Sequence, residues 1–326
     1  MKFLRDLIPG LKYGFKILQN EIANYGIYTF GNVYWVDPVN GSDTNDGLTS
    51  TSSLATLAEA NSKITTNNQD MILIAGTSTG NAVTSMLDFS KSRSHIVGLG
   101  VGMRKYGQRA RITMGVTATT TDVFMLKNTG VGNSFSNIKF STGNTLSQAI
   151  AAVGEGGEYS SYSNCEFYNS TDLDSDTTAE LVLNGDSAQF FDCTFGSLAD
   201  SVSGNKVRPA VYMAKDTVGA GKVSRDVLFD GCFFWKNAGG TSTAMVKIAA
   251  DADIERFMEF HNCQFISNVL GSTPAVAIAS PTLTTAQVLL TGDTAAHHCT
   301  KIATATGIFS ALSAKVATAT IGIQTT

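Results

Sequence analysis

The sequence predicts an all-β protein, a parallel β-helix in which each coil of chain is laid on the one before. Three observations predict it. A six-residue phrase occurs five times: FSNIKF from Phe135, YSNCEF from Tyr162, FFDCTF from Phe190, FDGCFF from Phe229 and FHNCQF from Phe260. Its fourth residues, Ile138, Cys165, Cys193, Cys232 and Cys263, lie 27, 28, 39 and 31 positions apart, a spacing that marks stacked repeats. No helical periodicity runs between the phrases, so the intervening chain reads as short strands and turns.

Taken from the N-terminus, the first segment is residues 1–33. Its opening, MKFLRDLIPGLKYGFK, carries charges throughout and a Pro9-Gly10 break. It has no continuous apolar stretch and is not read as a secretion signal. Leu11, Phe15, Leu18 and Ile22 follow helical spacing on one face, with Lys12, Lys16 and Glu21 off it. Two uses are open: packing on the chain's own β-helix, or docking on another protein, with a membrane-surface helix as a lesser third. The expected role is a partner anchor, through residues 1–30, on a capsid or tail protein.

Residues 34–76 begin the coil stack. YWVDPVNGSDTNDG gives a strand and a turn-rich loop, and Thr56 and Glu59 then form a capping box ahead of Leu57 and Ile64. The strand MILIAG follows from Met71. Asp43 and Asp46 could hold calcium, but Asx turns are the expected use of these side chains. This stretch resembles the opening of the pectate-lyase-like, right-handed parallel β-helix proteins. There an aromatic-valine-aspartate strand precedes an NGSDxNDG loop and a helix that leads to a buried strand. The matching residues are Tyr34, Val36 and Asp37, then Asn40 to Gly47, then Leu54 to Ile64. The resemblance covers residues 34–76 by motif and runs to about 268 by the looser coil pattern. It implies a right-handed solenoid over 34–271. It is shared by carbohydrate-active enzymes and by bacteriophage tailspike and other virion proteins.

Within each phrase the third residue is Asn137, Asn164, Asp192, Gly231 or Asn262. These are the types that tolerate a left-handed backbone. The phrase is therefore a strand end, a sharp corner and a new strand. Phe140, Phe167, Phe195, Phe234 and Phe265 are expected to stack inward, with the cysteines beside them. Cysteine is a small hydrophobe that fits next to a bulky ring, so the thiols are expected buried and free. Disulfides between neighbouring coils are the alternative. There is no C-x-x-C pair to suggest a metal, and Cys299 falls outside the ladder.

Candidates for chemistry are few. Glu155 and Glu158, in EGGE, read as an exposed pair at a coil edge. Asp230 and His261 hold the second position of successive phrases and become neighbours up the stack, as Lys139 and Glu166 do at the fifth. Asp172, Asp174 and Asp176 alternate like the start of a calcium loop, but Thr177 and Leu183 stand where that loop needs glycine and glutamate. No metal site and no cofactor are assigned. The long gap before Cys232 carries Lys206, Arg208, Lys215, Lys222 and Arg225. It reads as a basic loop for an acidic neighbour or a cell-surface glycan. KVRP, from Lys206, is similar to a lyase arginine motif only in part. His297 and His298 point to opposite sides of a strand.

Residues 272–326 contain only Asp293, Lys301 and Lys315 as charges among alternating Ala, Thr, Val and Ile. Such a surface is sticky on a monomer and is read as a β-rich oligomerisation region, with a homotrimer expected. Across the 326 residues only 15% are charged, against roughly 25% in an average domain. The net charge of −4 gives no footprint for nucleic acid, and no run approaches the roughly 20 apolar residues that span a membrane. The expectation is a non-enzymatic structural protein of a phage virion. The alternative is a tailspike, polysaccharide lyase or hydrolase on the same fold.

Overall fold

The computed structural model describes residues 31–77, 80–100, 110–114, 123–142, 149–169, 175–196, 208–237, 244–268, 276–284, 286–297, 299 and 308–310. Their strands form three wholly parallel sheets. Sheet A has ten strands, from Val33–Val36 to Ile308–Ser310; sheet B has eight, from Asn81–Val83 to Ala295–His297; sheet C has seven, from Leu87–Phe89 to Val276–Ala279. The chain visits A, B and C in turn. One coil runs Ser134–Ser136, Lys139–Ser141 and Ala151–Glu155 before re-entering sheet A at Ser161–Ser163. Parallel returns of this kind take the right-handed sense, and the fold is a right-handed parallel β-helix.

Each phrase turns the chain from sheet A into sheet B. Tyr162 pairs in register with Phe135 and Phe190, and Phe167 with Phe140 and Phe195. The corner between them is left-handed at every copy: φ is 57° at Asn137, 50° at Asn164, 52° at Asp192, 64° at Gly231 and 52° at Asn262. That bend brings the first and last aromatic of each phrase into one core. Two ring columns result. In the first, Tyr162, Phe190, Phe229 and Phe260 stack at 4.8–5.0 Å; in the second, Phe167, Phe195, Phe234 and Phe265 stack at 4.7–5.0 Å. The columns meet edge to face, the arrangement that ring quadrupoles favour.

The four phrase cysteines are buried and free. Each thiol lies within reach of the carbonyl of the first aromatic one coil earlier: Cys165 of Phe135, Cys193 of Tyr162, Cys232 of Phe190 and Cys263 of Phe229, at 3.3–3.5 Å. Burial pushes the Cys165 and Cys232 thiols well above their ordinary range, which keeps them protonated and inert.

The helix Leu57–Lys63 starts where the capping box places it, with Thr56 Oγ1 accepting from the Glu59 amide at 3.2 Å. Leu57, Ala60 and Ile64 close the first coil from above as part of the core. Lys91 Nζ donates to the carbonyls of Asn61 and Ser62 at 3.1 and 3.2 Å and also to that of Ile64, a cation on the negative end of the helix. In the preceding loop Asp43 accepts from the Ala55 and Thr56 amides, and Asp46 from Leu48 and Ser52. Both acids are thus used as turn acceptors.

At the other end, Val276–Ala279, Ala286–Thr291, Ala295–His297 and Ile308–Ser310 add strands to sheets C, A, B and A. The coil stack continues past residue 271. Residues 1–30, including Leu11, Phe15, Leu18 and Ile22, lie outside the described residues.

Candidate functional site

The EGGE pair is not an exposed pair. Glu155 ends the sheet C strand Ala151–Glu155 and is 0% exposed. Its carboxyl is turned into the coil, where four donors converge on it. Asn128 Nδ2 and the Tyr162 hydroxyl reach Oε2 at 2.7 and 2.5 Å. The Gly157 amide and Ser160 Oγ reach Oε1 at 2.6 and 3.2 Å. No cation is among these partners. Burial raises the Glu155 pKa to about 7, against the pull of those hydrogen bonds. The physical reason for the correction is the corner itself: where sheet C gives way to sheet A, buried amides and hydroxyls need an acceptor, and Glu155 supplies it. Glu158, two residues beyond Gly156, faces outward and pairs with Lys222. The two carboxyls serve different places and do not flank one cleft.

Asp230 and His261 are register neighbours in sheet A, as the phrase alignment requires. His261 Nδ1, however, bonds Thr291 Oγ1 at 2.8 Å in the next coil, and that hydroxyl donates to Glu259 Oε1 at 2.6 Å. The threonine proton is thereby spent on Glu259, so the imidazole donates from Nδ1. This is an outward-facing polar ladder whose one hydroxyl, that of Thr291, is tied to Glu259. Lys139 and Glu166 do pair across sheet B, at 2.6 Å.

The basic loop divides. Lys206 lies outside the described residues. Arg208 is 0% exposed, the largest fully buried side chain among the described residues, and so is no surface contact. It sits where the chain drops back into sheet C at Val211–Met213. Lys215, Lys222 and Arg225 do line the outside, but acids of neighbouring coils match two of them. Lys222 meets Glu158, and Arg225 lies between Asp186 and Glu255, at 3.5 and 3.0 Å. An open concavity of about 590 Å³ lies here, bordered by Lys215, Asp216, Lys222 and Glu255. Its lining is of mixed charge, not the cationic surface that composition alone suggests. Asp172 and Asp174 lie outside the described residues, and Asp176 is held by Lys247. Among the described residues no three His, Cys, Asp or Glu side chains gather as metal ligands.

Three features were not legible in the sequence. A second left-handed column has φ of 50–63°: Tyr159 and Ser187 stand just before the sheet A strands Ser161–Ser163 and Gln189–Phe191, and Asp226 and Arg256 stand near the start of the longer strands Ser224–Asp230 and Ile254–His261. Tyr159 stands 64% exposed on it. A buried ion pair joins Lys236 to Glu180 at 2.6 Å, and the second Glu180 oxygen takes the Asn169 amide. Last, the outer face of the first three sheet A strands carries a separate apolar cluster around Met71, Leu73 and Val97.

No protein-family model matches the chain, and no curated protein matches it by sequence. Solved structures do. Pectate lyase Pel9A superposes with a TM-score of 0.53 at 12% identity, over 87% of this chain and 79% of that one. The pectin methylesterase of Aspergillus niger gives 0.52 at 13%, over 87% and 85%. Looser is the likeness to ORF18 of Geobacillus virus E2, at 0.40 and 12% over 91% and 64%, which bears on neither fold nor function here. What the chain shares with the two enzymes is the right-handed parallel β-helix fold.

Proposed function

We propose that the chain is a non-enzymatic structural component of a bacteriophage particle, a β-helical rod that decorates a capsid or stands on a tail. Its N-terminal end, within residues 1–30, seats on a capsid or tail protein. Residues 272–326 join copies into a homotrimer, as befits a segment with three charges in fifty-five residues. The observation that carries this reading is the engagement of the acids. Glu155 is enclosed by four donors, Glu158 is held by Lys222, and Asp176 by Lys247. Glycoside hydrolysis asks for two carboxyls about 5–9.5 Å apart facing one groove, and these three are committed elsewhere.

A second reading, a carbohydrate-active tailspike or a polysaccharide lyase or hydrolase, draws on one observation. The concavity lined by Lys215 and Lys222 is linked to Glu158 by the Lys222 pair, and the exposed Tyr159 follows Glu158 in the chain; an aromatic near charges suits a sugar ring. The test uses the purified full-length protein with pectate, alginate and bacterial capsular polysaccharide. The expected result is no new reducing or unsaturated ends, with a trimer by light scattering. Cleavage that Glu158→Gln abolishes overturns the structural reading, and a monomer at micromolar concentration overturns the trimer.

A further inference from the structure

One corner of the coil stack is longer than the one before it. From sheet C toward sheet A the chain takes three steps from Leu183 to Asp186, but twelve between their register partners Met213 and Arg225. The excess amounts to residues 215–223. They form a tongue tied within itself. The Asp216 amide donates to the Lys222 carbonyl, the Lys222 amide to that of Gly219, and the Gly221 amide to Asp216 Oδ1. The tongue lies back over the two coils before it. Asn184 Nδ2, in the nearer coil, donates to the Gly219 carbonyl at 3.1 Å, and Lys222 reaches Glu158 in the farther one. Gly156 makes room for the tongue: a Cβ there would lie 3.0 Å from the Gly219 nitrogen and 3.1 Å from Val218 Cβ.

Val218 is the point of the tongue. It is 4% exposed and joins Phe124, Ala151, Val182 and Tyr212 in an apolar cluster apart from the main core. Val182 and Tyr212 alternate with core residues along their strands, so the cluster lies on the outer face of sheet C. The tongue thus fills an apolar trough, but it meets the polar groups there incompletely. Asn184 is 0% exposed, yet its Oδ1 accepts no hydrogen bond among the described residues. An asparagine side chain is matched by a peptide group that offers both a carbonyl and an N–H. The tongue offers the carbonyl alone, and a buried acceptor left unmet is costly. The Lys222–Glu158 pair is a surface contact, of the kind that holds weakly. On its other side the tongue is not packed. The open concavity of about 590 Å³ is bordered by Gly221 and Lys222 of the tongue and by Ile254 and Glu255 of the next coil.

We infer that the trough on the outer face of sheet C is a docking site for a peptide segment of a partner protein, and that the tongue is its resident occupant. The tongue gives the chemistry of the partner. It has a branched apolar side chain where Val218 sits, a peptide group that meets Asn184 with both its carbonyl and its N–H, and a cation within reach of Glu158. The partner displaces the tongue, which has the concavity to swing into. Nothing in this depends on the virion reading.

The test uses the full-length chain with residues 215–223 excised, which leaves at this corner the three-step length of the coil before it. The probe is a head-to-tail cyclised peptide of residues 214–223, AKDTVGAGKV, labelled for fluorescence anisotropy. Protection of the phrase thiols from alkylation reports an intact rod. The expected result is saturable binding to the excised chain and binding about tenfold weaker to the wild type, whose own tongue competes. Asn184→Ala in the rod, or Val218→Asp in the peptide, should each weaken binding about tenfold. An intact rod that does not bind overturns the inference, as does binding that neither change weakens. If excision disrupts the rod, Val218→Ser in the full-length chain loosens the tongue alone. It must then raise peptide binding about threefold, and no rise overturns the inference. Wild-type protein that dimerises on concentration, and does not with Val218→Asp, also overturns it and gives the trough to a second copy.

Discussion

The Asn164 side-chain amide donates to the Asn137 side-chain oxygen one coil below, at 3.2 Å, while both residues hold a left-handed backbone. Asn137 in turn donates to the carbonyls of Gly98 and Gly100. The corner thus makes two demands, a backbone shape and a side-chain bond, and asparagine meets both. Asn164→Gly keeps the first and loses the second, and is expected to cost about 1 kcal/mol. Asn164→Ala loses both and adds about 1–2 kcal/mol of left-handed strain. Gly231→Ala meets the same strain, and its new Cβ lies 2.8 Å from Asp192 Oδ1. Urea unfolding should rank Asn164→Gly above the two alanine variants.

Phe195 stacks between Phe167 and Phe234 at 4.7 and 5.0 Å and meets Phe190 and Phe229 edge-on at 5.7 Å. Phe195→Ala should cost about 3–5 kcal/mol. Phe257, 40% exposed on sheet A, is the control, and Phe257→Ala should change stability by no more than about 0.5 kcal/mol. Equal effects would show that the ring columns do not form the core.

Two buried groups set opposite pH dependences. Glu155 titrates at about 7 in the fold against 4.5 for an ordinary glutamate. Between those pH values the folded chain keeps a proton that the unfolded chain releases, so stability falls as pH rises. His95, bonded to Ser134 and Gln69, is held down to about 4 from 6.5 by burial. Between 4 and 6.5 it is the unfolded chain that gains the proton, so stability falls as pH drops. Each amounts to about 3 kcal/mol, and over the shared window they offset. Glu155→Gln should leave a protein that loses stability on acidification from pH 6.5 to 4.5, and His95→Gln one that loses it on going from pH 4.5 to 7. Thermal melts across that range check both slopes. Parallel profiles for the two variants would refute the assignment.

The phrase thiols should be silent. Folded protein treated with iodoacetamide at pH 8 should leave Cys165, Cys193, Cys232 and Cys263 unmodified. Half-buried Cys299, its pKa pushed up to about 12 by burial, should react only slowly. Denatured protein should take five labels, and intact mass decides it. A deficit of two labels would reveal a bridge between coils.

How much was legible depended on whether a position restricts its residue type. The sheet A to sheet B corner admits few residues, so Asn137, Asn164, Asp192, Gly231 and Asn262 announced it, and the Cys and Phe positions followed from parity. The corner into sheet A is equally left-handed, yet it holds Tyr159, Ser187, Asp226 and Arg256. Neighbouring coils impose that backbone by register, and of those four residues only Asp226 is of a type that signals it. Sheet C was hidden for another reason: its strands, such as Leu181–Leu183 and Val211–Met213, are short apolar runs without a motif. Glu155 was misplaced because two glycines after an acid read as an open turn. Whether that acid faces out or in depends on Asn128, in the coil beneath, 27 positions away. Arg208 was misplaced by composition, since charge alone does not tell a loop from the strand that follows it.

Sheet A places ten strands one above another, each step adding about 4.8 Å, so the rod is also a ruler about 43 Å long. Its graduation is the coil, and a coil contributes height whatever the length of its side loops: the 39-residue interval before Cys232 rises no farther than the 28-residue one before Cys193. Excising residues 165–192, one whole graduation from cysteine to cysteine, should shorten the reach by a single notch and leave both ends alike. Length along the axis and bulk around it are thus set by separate parts of the chain, and each can drift without disturbing the other.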